Sequence, residues 1–281
     1  MRGAVIGLGL IGGSLALDIK RTGFCEFVTG VDLNPVHQLE ALRLGLVDDV
    51  QPLEVAVAGA DIVIIAVPVD ATVEVLKKVL DLATTQVITD AGSTKEKISA
   101  SVKEHPNRGR FVAAHPIWGT ENSGPTAALP GGFNGKVTVI CDREQSDGDA
   151  LGTVEAMYDA IGMKRVYMDS VSHDVHAAYV SHISHVTSFA LALSVLEKEK
   201  EVDTIFQLAG AGFESTVRLA KSNTDTWIPI FKENRKNLLD VLKEQIDQLA
   251  VMKECIEHED YTKLRELMLK ANGIKKVLGK K

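Results

Sequence analysis

Ala4-Val5-Ile6-Gly7-Leu8-Gly9-Leu10-Ile11-Gly12 stands near the start of the chain, and its reading decides the fold. A short apolar run stops at Gly7, and glycines then recur in the pattern G-x-G-x-x-G. In that pattern the first glycine permits a tight turn and the second lets backbone approach a pyrophosphate. The third lets a helix pack closely on a strand. Such spacing is common by chance. Here it follows a strand-like run and precedes a helix-like one, so the free N–H groups and dipole of a helix N-terminus would face an anion. Asp32 closes the next apolar run, twenty residues after Gly12, where a carboxylate accepts hydrogen bonds from an adenine ribose. Its charge repels a 2′-phosphate, and Leu33 and Asn34 supply no cation. The expected cofactor is therefore NAD rather than NADP. Gly7, Leu8, Gly9, Leu10, Ile11, Gly12 and Asp32 are candidate cofactor contacts. Val67 and Pro68, at the end of the apolar run 62–67, are expected at the same crevice.

Outward from this segment, short β-branched runs at 4–6, 28–31, 62–67, 87–89, 111–114 and 137–140 alternate with amphipathic stretches. The stretches lie at 14–22, 36–44, 71–82 and 94–104. Runs too short for helices and apolar throughout read as buried strands. Strand alternating with helix implies right-handed βαβ units and a mostly parallel sheet. A loop at 145–149, a helix near 150–161 and a last strand at 164–168 complete this part. From residue 172 onward only helical patterns appear, at roughly 172–199, 201–221, 225–256 and 259–277. The expected fold class is α/β: a Rossmann-type, mostly parallel sheet domain over 1–168, then an all-α domain over 169–281. The second domain would carry substrate contacts and a dimer interface. The lysines at 275, 276, 280 and 281 read as a solvated tail, and 198–201 as a solvated charge run.

Size and composition restrict the function classes. The chain has 281 residues, long enough to bury a core without disulfides or a structural metal. A net charge of −7 repels phosphate backbones, so nucleic acid is not an expected partner. Cys25, Cys141 and Cys255 are far apart and odd in number, which suits a reduced, cytoplasmic protein without a zinc motif. The start of the chain shows no targeting segment. No apolar run is expected to reach the ~20 residues that cross a membrane.

Two further strand ends carry polar groups. One run leads into Asp90-Ala91-Gly92-Ser93-Thr94-Lys95, and another into His115-Pro116-Ile117-Trp118-Gly119-Thr120-Glu121. In an open α/β sheet both face the cofactor crevice. A histidine there titrates near neutral pH and moves a proton. A serine beside it orients the imidazole or binds a substrate oxygen. The residues alone leave open that His115 is satisfied by loop backbone. Half of the eight histidines, His173, His176, His182 and His185, fall within thirteen residues. His182 and His185 share a helix face, yet no carboxylate sits at ligand spacing beside them, so no metal is expected. Packing against backbone is the plainer reading for His173 and His176.

With these segments quoted, the sequence resembles the prephenate/arogenate dehydrogenase family over nearly its whole length. The resemblance rests on residues 7–12, 90–95 and 115–124, on Ser181-His182-Ile183-Ser184-His185, and on 212–218 with Ala220-Lys221-Ser222 and Trp227 behind. It implies oxidation of a cyclohexadienol at its ring carbinol with loss of the ring carboxylate as carbon dioxide. It implies that His115 hydrogen-bonds the ring hydroxyl and accepts its proton, and that Ser93 helps to hold that hydroxyl near the nicotinamide. Arg218 then pairs with the substrate side-chain carboxylate, and His182 and His185 line the pocket. Thr120, Glu121 and Trp227 fall at its rim. Substrate and cofactor would be prephenate, or alternatively arogenate, with NAD, in tyrosine biosynthesis. No appended regulatory or chorismate mutase domain is expected.

Two other classes compete. A dehydrogenase for a β-hydroxy acid or an imine commonly uses a helical-domain lysine, against which His115 and Ser93 speak. A non-catalytic NAD sensor explains the glycines and Asp32 but not His115, Ser93 and Arg218 together. The helices at 172–199 and 225–256 are too apolar on one face for so small a domain to cover, so a homodimer is expected.

Overall fold

A computed structural model describes residues 1–200 and 204–279. The chain packs as two compact units, Met1–Arg235 and Lys236–Lys281. The first unit is built on one eight-stranded sheet in the order β3-β2-β1-β4-β5-β6-β7-β8. Its strands are β1 (Arg2–Ile6), β2 (Phe27–Val31), β3 (Asp49–Val50), β4 (Ile62–Ile65), β5 (Val87–Asp90), β6 (Phe111–Ile117), β7 (Val137–Cys141) and β8 (Lys164–Met168). Every neighbouring pair is parallel except β6 with β7. The strands run outward from β1 to β3, and the chain then returns to place β4 on the other side of β1. The crevice at that reversal is where ligands bind in open α/β sheets.

Helices cover both faces: α1 (Leu10–Arg21), α2 (Pro35–Arg43), α3 (Leu53–Ala58), α4 (Val69–Leu82), α5 (Glu96–Ser101) and α6 (Gly148–Ala160). This is why β4 reads as an unbroken apolar run. Ile62 and Ile64 enter one core layer, Val63 and Ile65 the other, and all four are buried. The sequence reading missed β3 and α3. β3 is only two residues long, below what an apolar run reveals.

Beyond β8 the described residues hold no strand. α7 (Ser170–Ala177), a π-helical turn (Ala178–His182) and α8 (Ile183–Glu199) form one continuous stretch. The helix expected at 201–221 is broken. Its described part is α9 (Ala211–Val217) between two 3₁₀ turns, Ile205–Leu208 and Arg218–Lys221, and Gly210 precedes α9. Residue 201 of the charge run and Lys280 and Lys281 of the tail lie outside the described residues. The helix expected at 225–256 is two, α10 (Thr224–Glu233) and α11 (Arg235–Glu257). They part at Asn234, whose side chain is committed elsewhere by bonds to Asp174 and His182. The second unit continues through α12 (Tyr261–Ala271), a 3₁₀ turn (Asn272–Ile274) and a short helix α13 (Lys275–Leu278).

One expectation is corrected. The stretch Ser170–Glu199 is long and apolar enough to cross a membrane by length and composition, and only 17% of its most apolar window is buried. His173, Asp174, His182 and His185 interrupt it, and all four are buried within the first unit. An exposed apolar face beside buried polar groups suits a protein contact.

Candidate active site

The glycine segment turns as its spacing demands. Gly7 has φ +94°, and a Cβ there would lie 2.5 Å from the Ala66 carbonyl oxygen. At Gly12 a Cβ would lie 1.9 Å from the Gly7 carbonyl oxygen. The β1–α1 turn therefore packs directly on the end of β4, next to Val67 and Pro68. Gly9 differs: a Cβ there meets nothing within 4 Å. Gly9 is also the N-cap of α1 and gives it no side-chain cap. Open space in front of uncapped N–H groups is the cradle a pyrophosphate needs. Asp32, at the end of β2, braces this turn. Its Oδ2 accepts from the Leu8 N–H at 2.8 Å and its Oδ1 from the Asn34 N–H at 2.8 Å. Both oxygens keep lone pairs for a ribose. Leu8 itself is buried against Gly30, where a side chain on β2 would collide with it.

His115 stands near the end of β6, half-buried, on the sheet edge where β1, β4 and β5 also end. Its Nδ1 lies 2.9 Å from His173 Nε2. His173 Nδ1 lies 2.8 Å from Asp174 Oδ1. Asp174 also accepts from the backbone N–H of Lys95 at 2.7 Å and of Glu96 at 3.0 Å, which fixes the start of α5. Beneath, Asp90 and Lys95 form a fully buried ion pair, and Asp90 also accepts from the N–H groups of Gly92 and Ala114. The Ser93 loop and the strand carrying His115 are thus tied to the same groups. Ser93 is half-buried, and the group that pairs with His115 is His173, not Ser93. Burial pushes the His115 pKa well below the usual 6.5, and the neighbouring His173, Lys95 and His182 push the same way. The imidazole is therefore neutral at pH 7, as a base must be.

The helical side brings the other named residues together. His185 stacks on Trp227 with ring centroids 3.3 Å apart, and His182 meets the same indole edge-on at 6.0 Å. His185 Nδ1 donates to the Ser181 carbonyl at 3.1 Å, which leaves its Nε2 as an acceptor. Its pKa is lowered by burial, a pull the Ser181 bond opposes and nearby Arg218 reinforces. His182 is almost wholly buried, and burial lowers its pKa to about 4. The Asn234 amide donates to its Nδ1 at 3.1 Å, so its Nε2 carries the hydrogen. The π-helical turn ends on His182, and His182 and His185 meet the same indole, one edge-on and one stacked on its face. Arg218 is exposed and lies 3.6 Å from Glu121, on the loop that follows β6. Thr120 and Glu121 help to line a polar cleft of about 660 Å³ with Lys221 and Asn223.

Sequence reasoning did not single out Asp174 or Asn234, and it read His173 as a packing residue. The available signal was the pair His173-Asp174 at the start of the helical part, where a carboxylate stands beside a histidine.

Residues 15–167 match the prephenate dehydrogenase nucleotide-binding domain, and residues 169–270 match the prephenate dehydrogenase dimerization domain. The prephenate dehydrogenase of Bacillus subtilis (strain 168) is 30% identical over 258 residues, covering 90% of this chain and 70% of the relative. A crystal structure of prephenate dehydrogenase from Aquifex aeolicus, in complex with hydroxyphenyl propionate and NAD+, superposes with a TM-score of 0.88 at 30% identity. It covers 97% of this chain and 96% of that one. Synechocystis arogenate dehydrogenase superposes with a TM-score of 0.80 at 26% identity, covering 99% of this chain and 100% of that one. With a nucleotide-binding half and a dimerization half both matched, the chain belongs to the prephenate dehydrogenase family.

Proposed function

We propose that the protein catalyses the NAD-dependent oxidative decarboxylation of prephenate to 4-hydroxyphenylpyruvate and carbon dioxide, with NADH as the reduced product. The observation that carries this reading is the β6 segment. His115 lies at the cofactor edge of the sheet, and six residues on Glu121 meets Arg218. One segment thus connects a neutral base with a cation suited to a carboxylate.

NAD fits the residues present. Gly7, Gly9 and Gly12 form the cradle, Asp32 offers acceptors to the ribose, and Val67 and Pro68 close the crevice at β4. When bound, the oxidised nicotinamide supplies a hydride acceptor. The protein's own task is then orientation and one proton. His115 takes the proton from the ring hydroxyl as that carbon is oxidised. Loss of the ring carboxylate as carbon dioxide leaves a phenolate, to which His115 returns the proton. Aromatisation drives the reaction, so a positioned base worth ~10²–10⁴-fold and correct alignment suffice. Ser93 holds the reacting oxygen and Arg218 the side-chain carboxylate.

The choice of prephenate over arogenate rests on where carboxylates are free. An ammonium needs one nearby to offset its desolvation. Glu121 is beside Arg218 and Glu214 is 4.0 Å from Lys221. His182 presents an N–H, which suits a keto oxygen. One observation favours arogenate: the free Nε2 of His185 is an acceptor that an ammonium could use. Steady-state kinetics on both compounds with NAD test the reading. A kcat/KM for prephenate above that for arogenate is expected, and a tenfold preference for arogenate overturns it. We place the working boundary at residue 168, with cofactor contacts before it and substrate and dimer contacts after it. The protein would then work as a cytoplasmic homodimer.

A further inference from the structure

We propose that His173 and Asp174 are positioning residues that hold His115 in the Nδ1–H tautomer and so aim its basic Nε2 at the substrate hydroxyl. The proposal deepens the reading of His115 as the base and rests on it.

The argument is one of donors and acceptors along a chain of three groups. Asp174 receives N–H groups on both oxygens, from Lys95 and Glu96 in addition to His173. A carboxylate is acceptor-only, so His173 Nδ1 must carry the hydrogen that faces it. His173 is almost wholly buried, and with its hydrogen committed to Asp174 its Nε2 is a lone pair. The 2.9 Å contact between His173 Nε2 and His115 Nδ1 then requires the hydrogen to sit on His115 Nδ1. His115 Nε2 is left as its only free lone pair. Free imidazole prefers the other tautomer, in which Nε2 would be a donor and useless as a base. The orientation of a histidine by the hydrogen bond on its far nitrogen is a general device. Here a second histidine stands between the carboxylate and the base. The two rings meet edge to face, 5.1 Å apart, which also fixes the plane of His115.

Asp174 carries a second load. It caps the first N–H groups of α5, immediately after Ser93. The same carboxylate thus sets the base through His173 and the serine loop through α5. Asp174→Asn would disturb both, so the sharper variants lie at His173. His173→Phe keeps a buried ring and removes the acceptor. His173→Gln keeps an acceptor and removes the ring.

The test is a long-range ¹H–¹⁵N spectrum of the imidazoles in the full-length protein without ligands, with the His115 signal identified by its loss in His115→Asn. The wild type is expected to show His115 with hydrogen on Nδ1. In His173→Phe, far-UV circular dichroism stays unchanged and the hydrogen moves to Nε2. kcat with prephenate then falls by about one to two orders of magnitude, less than the ~10²–10⁴ of the base itself, while KM for NAD holds. His173→Gln restores the Nδ1 hydrogen and most of kcat. A wild-type His115 with hydrogen on Nε2 overturns the proposal, whatever the turnover. So does a folded His173→Phe that retains kcat to within about twofold. Failure of the base reading is separate: it would show as near-normal kcat in His115→Asn with the wild-type tautomer still on Nδ1.

Discussion

At His115 the local physics makes a kinetic claim. Burial, with His173, Lys95 and His182 beside it, holds its pKa well below 6.5, so the ring stays neutral into mildly acidic solution. The acid limb of kcat/KM is therefore expected below pH 6.5, with activity lost only as pH falls through the depressed value. His115→Asn should remove that limb and cut kcat by ~10²–10⁴. A pH–rate profile on both proteins checks this, and near-normal kcat in the variant would place the base elsewhere. Asp32 makes a different claim. Because it also braces Leu8, its replacement would loosen the glycine turn and confuse the readout. The cleaner measurement is wild-type kcat/KM for NAD against NADP, expected to favour NAD by about an order of magnitude or more, from repulsion of the 2′-phosphate. Arg218→Gln should weaken substrate binding by ~1.5–3 kcal/mol, the worth of a hydrogen bond to a charged group. It would be read as a rise in KM with NAD affinity unchanged. Gly7, Asp32 and His115 stand out in the sequence by motif and strand position, and Arg218 only through the family resemblance. His173 reaches His115 across 58 residues and Asn234 reaches Asp174 across 60, and no local pattern encodes such contacts.

Among the elements, strands were the easiest to read because a sheet covered on both faces writes itself as apolar runs. The exceptions have causes. β3 is too short, and the single long helix expected at 225–256 ignores that Asn234 is drawn inward to bond Asp174 and His182. The π-helical turn before α8 has no sequence signature at all, yet it delivers His182 to the core. That delivery has a stability consequence. His182 has a folded pKa of about 4 against an ordinary 6.5, so below pH 6.5 the unfolded chain binds the proton that the folded one refuses. Its contribution is intact above pH 6.5, is lost progressively as pH falls, and levels off below about pH 4. The full loss is roughly 3 kcal/mol. Melting temperature should fall steeply between pH 6.5 and 4, with His115 adding in the same direction. His182→Gln keeps an acceptor for Asn234 and should flatten the slope. An unchanged slope would assign the acid sensitivity to other groups.

For the molecule as a whole, the question is what covers its apolar helices. In the first unit Val180 is 77% exposed and Leu193 66%, and Val171 and Leu196 are exposed on the same helical stretch. In the second unit Ile246, Leu249 and Ile256 along α11 are exposed as well. Scattered apolar residues on a surface are ordinary, but a 30-residue helical stretch whose most apolar window is only 17% buried is not. Residues 169–270 match a dimerization domain, so the cover expected is a second copy of the chain. Closed two-fold pairing buries the same patch on both copies, and an obligate interface of this kind is large and apolar. Static light scattering at micromolar concentration should give twice the 30.3 kDa of one chain. Leu193→Glu would place a charge in the buried face without touching the sheet or the site residues, and should shift the mass toward the monomer. A wild-type monomer at that concentration refutes the pairing. A Leu193→Glu variant that stays dimeric moves the interface off α8.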